Sequence, residues 1–175
     1  MRKCMKGIIL LLSFTSLFSN DIPLFINAAK TNDFKTVSRF IENKNNINAV
    51  DEYGKTALMW ASEKNNINIV KYLLDNGADV NIKTDSQYSV LHYSAQAGNT
   101  EVVKLLLTKD VSKIINSTTK LGWTPLICAS SMGHVEIVKL LMAKGADKSI
   151  KAKNGVTAIG FAEIMGFKEI IKILK

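Results

Sequence analysis

A chain of 175 residues, 47% hydrophobic and 22% charged, has the balance of a folded protein and excludes a disordered segment. The formal charge of +8 is a weak pointer to nucleic acid. Arg2, Lys3 and Lys6 supply three of those charges, and the rest of the excess is scattered among Asn-rich turns and interleaved with Glu.

After the basic start comes an apolar run from Gly7 to Leu12, continued by Phe14, Leu17 and Phe18, and then polar Ser19, Asn20 and Asp21. This order resembles a secretory signal peptide over residues 1–20, so mature protein is expected to begin near Asp21, in the periplasm or outside the cell. The apolar core is about a dozen residues, short of the ~20 that a membrane-crossing helix needs, and no span is expected after its removal. Cys4 would leave with the leader, and Cys128 alone cannot form an intrachain disulfide.

Residues 21–50 carry Phe25, Ala28, Phe34, Val37, Phe40 and Ile41 at helical spacings and predict a divergent helix pair that caps the rest of the chain. From there the chain repeats itself. Thr56-Ala57-Leu58-Met59-Trp60-Ala61 returns 33 residues later as Ser89-Val90-Leu91-His92-Tyr93-Ser94, then after 35 as Thr124-Pro125-Leu126-Ile127-Cys128-Ala129, and after 33 more as Thr157-Ala158-Ile159-Gly160-Phe161-Ala162. A second phrase succeeds the first three of these blocks: Ile69-Val70-Lys71-Tyr72-Leu73-Leu74, Val102-Val103-Lys104-Leu105-Leu106-Leu107 and Ile137-Val138-Lys139-Leu140-Leu141-Met142. Two helices per unit are predicted. Thr56, Ser89, Thr124 and Thr157 stand where a hydroxyl caps the first helix, and Pro125 sits at the first helical position. Asn32, Asn65, Gly98, Gly133 and Gly166 recur where a left-handed residue would end that helix after eight to ten residues. Small residues at Ala28, Ala61, Ser94, Ala129 and Ala162 allow neighbouring helices to close in, so that each unit buries its apolar face only on the next.

These phrases resemble the ankyrin repeat, which runs about 33 residues and includes a Thr-Pro-Leu-His-x-Ala phrase. The resemblance covers residues 21–175: a capping unit at 21–50, full units at 51–83, 84–118 and 119–151, and a shortened one at 152–175. It implies an all-α solenoid of stacked helix-turn-helix units with protruding loop fingers. Two extra residues between Lys109 and Thr118 depart from the pattern, in the loop that closes the third unit.

Catalysis needs convergent titratable groups, and the supply is thin. His92 and His134, the two histidines, occupy repeat positions that take a structural His, and Cys128 lies on an inward-looking position, so neither a Cys/His nucleophile pair nor a metal site assembles from local spacing. Asp51, Asp79 and Asp147 read as turn-formers. No phosphate-cradling glycine motif or nucleophile elbow occurs, so no enzyme activity and no cofactor are expected.

The resemblance implies a partner protein held on the concave face, by the fingers and the exposed side of each first helix. The finger positions with the composition of an interaction hot spot are Tyr53, Lys55, Tyr88, Lys120 and Trp123, with Tyr88 and Trp123 equivalent in successive units and the lysines as a charged border. Trp60 and Tyr93 are expected in the core. Single-stranded nucleic acid ranks behind a protein partner, and an accessory or regulatory subunit that stabilises an exported enzyme is the second reading. The sequence leaves oligomeric state open.

Overall fold

The computed structural model describes residues 21–175, and the leader predicted at 1–20 lies outside them. Among the described residues ten helices succeed one another in five pairs: α1 (Asp21–Thr31) with α2 (Phe34–Glu42), α3 (Ala57–Glu63) with α4 (Ile67–Asp75), α5 (Val90–Ala97) with α6 (Thr100–Leu106), α7 (Pro125–Ser131) with α8 (Val135–Ala143), and α9 (Ala158–Met165) with α10 (Lys168–Leu174). The first helices of the units after the cap are seven or eight residues long, at or just below the short end of the expected range.

Local chemistry sets each boundary. The hydroxyls of Thr56, Thr124 and Thr157 accept from the backbone N–H of Met59, Ile127 and Gly160, three residues on. At Ser89 the cap is a reciprocal box with His92, in which the Ser89 N–H also donates to Nδ1 of His92 at 3.1 Å. At the other end Asn32, Asn65, Gly98, Gly133 and Gly166 are all left-handed, with φ of 60–79°. Gly98 is also required by packing, because a Cβ there would lie 2.5 Å from the His134 ring.

The first helices α1, α3, α5, α7 and α9 form an inner row, and the second helices form an outer row that packs less closely. Ala28, Ala61, Ser94, Ala129 and Ala162 are all buried, which is what lets the inner row close up. In the outer row Ile69, Val70, Leu73 and Leu74 are buried while Asn68 and Lys71 face water. Polar ties run between units: Asn66 Nδ2 donates to Ala29 O at 2.8 Å, Asn99 Nδ2 to Ser62 O at 2.7 Å, and His134 Nε2 to Gln96 O at 3.1 Å. Each satisfies a carbonyl that the end of an inner helix leaves free.

The insertion in the third unit is partly internal: Val111, Ile114 and Ile115 are buried. It also interrupts a ladder. Asn48 Oδ1 accepts from Asp79 N and Asn116 Oδ1 from Asp147 N, each tying one loop to the next. Between them, Ser112 N turns back to the Asp110 side chain, and the buried Oδ1 of Asn81 is left without a protein partner.

Trp60 and Tyr93 are not in the core. Both are half-buried and face the inner-row flank, because their register on the helix is shared with exposed Asn27 and points away from the outer helices.

Candidate protein-binding groove

Asp51 organises the finger that precedes α3. Its Oδ1 accepts the backbone N–H groups of Tyr53 and Lys55, both at 2.9 Å, and its Oδ2 accepts Trp60 Nε1 at 2.7 Å. In the next two fingers a threonine stands in that place, with Thr84 Oγ1 accepting Tyr88 N and Thr119 Oγ1 accepting Trp123 N. The residues equivalent to Trp60 in the later units are Tyr93, Cys128 and Phe161, so the bond from an indole N–H to a finger carboxylate belongs to the second unit.

Lys55, expected as an exposed charged border, is buried with 6% of its surface accessible. Its ammonium pairs with the Glu63 carboxylate and lies 3.4 Å from the centroid of the Trp60 ring and 4.0 Å from that of Tyr93. Burial pulls its pKa below the ordinary lysine value, and the Glu63 hydrogen bond and charge oppose that pull. The cause of the reversal is reach. Held by Asp51 at its own amide, Lys55 runs its apolar stem along the finger base and delivers its charge to the two rings and to Glu63, where a cation on aromatic faces is favourable.

Two grooves flank this cluster. One, of about 590 Å³, is lined by Ile22, Pro23, Ile26, Val50 and the Trp60 ring, among others. The second, of about 470 Å³, is lined by Glu52, Tyr53, Asp85, Tyr88 and Tyr93 with Trp60 and Lys55. Glu52, Tyr53 and Trp60 form the wall common to both. Tyr53 is 64% exposed at its crest.

The structure therefore brings Tyr53, Lys55 and Tyr88 together and leaves the other two predicted residues apart. Tyr88 stacks on Tyr93 at 5.3 Å and tilts against His92 at 5.6 Å, while Trp123 packs on Phe161 of the adjoining unit at 4.9 Å. Tyr88 and Trp123, although equivalent in sequence, thus serve different neighbours. Lys120 is exposed on its finger, and neither it nor Trp123 lines either groove. Sequence reasoning misses Trp60 and Tyr93 as groove residues. The polar Asn27 one unit earlier, in the same helical register, is the available signal that this register faces outwards.

The groups that could carry chemistry are engaged or suppressed. His92 is fully buried, with Nδ1 accepting from Ser89 N, which leaves Nε2 as the donor to Trp123 O at 3.0 Å. Burial lowers its pKa from 6.5 to about 4. Burial pushes the Cys128 thiol up to about 12, far from a reactive thiolate. Among the described residues no three His, Cys, Asp or Glu side chains are placed to hold a metal ion, and no helix is long and apolar enough to cross a membrane.

Comparison with known proteins agrees with this architecture. A family model described as ankyrin repeats (3 copies) matches residues 4–84 and 82–152, most of the chain. A stretch of 47 residues is 49% identical to part of the acyl-CoA-binding domain-containing protein 6 homolog of Dictyostelium discoideum. That stretch is 26% of this chain and 16% of the relative, so the likeness concerns a segment of a longer protein. Repeating helix pairs, left-handed inner-helix ends, finger loops and the family match converge on one conclusion: this chain belongs to the ankyrin-repeat family, whose stacks serve as protein-interaction modules.

Proposed function

We propose that the chain is an exported, non-enzymatic interaction module that holds one partner protein in the concave grooves of its first three units. The observation that carries this reading is the wall of Tyr53 and Trp60 shared by two adjoining grooves and continued by Tyr88 and Tyr93. Half-exposed aromatic rings held in place by Asp51 and Lys55 offer contact area with little ordering left to do on binding. Recovery of the native partner on tagged protein, with affinity then measured, tests it. Tyr53→Ala combined with Trp60→Ala should weaken that partner by at least ~2 kcal/mol, the scale of a hot spot. Unchanged affinity in a variant that still melts cooperatively would remove the groove from the reading.

Export rests on the basic, apolar and polar order of residues 1–20. N-terminal sequencing of protein from the native source is expected to start near Asp21. An intact Met1 on cytosolic protein would place the module inside the cell.

A further inference from the structure

We propose that the groove between the second and third fingers is a receptor for a cationic side chain of the partner, an arginine. This deepens the proposed function and rests on it. Three features of the groove carry the inference. Its walls include two exposed carboxylates, Glu52 and Asp85, and among the described residues neither has an ion-pair partner. Its remaining walls include the aromatic side chains of Tyr53, Tyr88, Tyr93 and Trp60. The cation in its lining, Lys55, is buried and already paired with Glu63, and the other ammonium over the Trp60 ring, Lys30, lines the neighbouring groove instead.

The two carboxylates are brought to one groove by the close approach of the fingers. Gly54 is left-handed at φ +72°, and a Cβ on it would stand 3.3 Å from both Asp85 N and Thr84 Cα, so the tip that carries Glu52 and Tyr53 lies directly against the next finger. Glu52 also stands beside the Tyr53 phenol, whose pKa it raises. Lys55 shows within the same molecule that the Trp60 and Tyr93 rings hold a cation at 3.4 and 4.0 Å from their centroids. An arginine suits the groove better than a lysine, because a planar guanidinium can stack on a ring while its N–H fork serves a carboxylate.

The same register changes sign further along the stack. Glu52 and Asp85 give way to Lys120 and Lys153 at the equivalent finger position, all four exposed. A basic partner segment is therefore directed to the second and third units and turned away from the fourth and fifth.

The test uses defined probes on the isotopically labelled chain. N-acetyl-arginine methylamide should shift the backbone amides of residues 52–56 and 84–89 saturably. N-acetyl-citrulline methylamide, which keeps the shape and loses the charge, should bind at least about fivefold more weakly. Glu52→Gln with Asp85→Asn should weaken the arginine probe by a similar factor and leave the melting temperature unchanged, since both side chains are exposed and unpaired. An equal response to both probes, an unaffected carboxylate variant, or no saturable shift would overturn the inference. If the inference fails while Tyr53→Ala with Trp60→Ala still loses the native partner, the groove stands as a protein-binding site and only its preference for a cation falls.

Discussion

Leu106→Ala is expected to destabilise the stack by ~2–5 kcal/mol, the loss of a fully buried leucine plus the cavity it leaves. Leu106 is the last residue of α6 and has no accessible surface. Its helix belongs to the third of five units and packs on α5 of its own unit and on α4 and α8 of the neighbouring ones. A cavity at that point loosens two interfaces together, because each unit of a solenoid is stabilised by its neighbours more than by itself. Denaturant melts should show the midpoint falling with little change in slope. Ile67→Ala in α4 supplies the contrast: Ile67 is 38% exposed, and its loss should stay within about 1 kcal/mol. A loss below about 1 kcal/mol for Leu106→Ala would show that this helix does not transmit packing between the units.

The second large effect is expected from acid. His92 has a folded-state pKa of about 4, against an ordinary value of 6.5, because burial disfavours its charged form. The Ser89 N–H that donates to Nδ1 also requires that nitrogen unprotonated, and the Ser89 hydroxyl lies 2.8 Å from the same atom. The unfolded chain therefore binds a proton more readily than the folded one between those two values. Stability attributable to this residue is complete above about pH 6.5 and falls as pH drops towards 4, by about 3 kcal/mol across that window. Protonation would break the cap of α5 at Nδ1, while Nε2 keeps its donation to Trp123 O, the tie that joins the third unit to the finger of the fourth and partly opposes the shift. Unfolding free energies measured between pH 7.5 and 4.5 check the magnitude. The imidazole resonances of the native protein check the cause, and a His92 ring that titrates near 6.5 while folded would remove it.

The lysine and the tryptophan of the second unit show where sequence reading stops. Periodicity is enough to place the caps, the left-handed residues and the buried stripe, since each depends on neighbours within one turn of chain. Thr56, Thr124 and Thr157 cap as their spacing predicts, and Leu73, Leu106 and Leu141 are buried as their stripe predicts. Lys55 cannot be placed in that way. A lysine on a loop is ordinarily exposed, and nothing within a few residues announces that Glu63, Trp60 and Tyr93, the last from the next unit, converge on its ammonium.

Fold class and the phase of the helix pairs are properties of the amino-acid order alone, because a repeated local pattern has one way to bury its apolar stripe. Which aromatic rings share a groove is settled only in the folded chain. Tyr88 and Trp123 are equivalent letters in successive repeats, yet one rests on Tyr93 and the other on Phe161, since the neighbour each ring finds differs between units. Folding also leaves the Asn81 Oδ1 without a protein partner where the third loop is lengthened. Side-chain destinations across units are set by through-space distance, and a one-dimensional pattern carries no such distance.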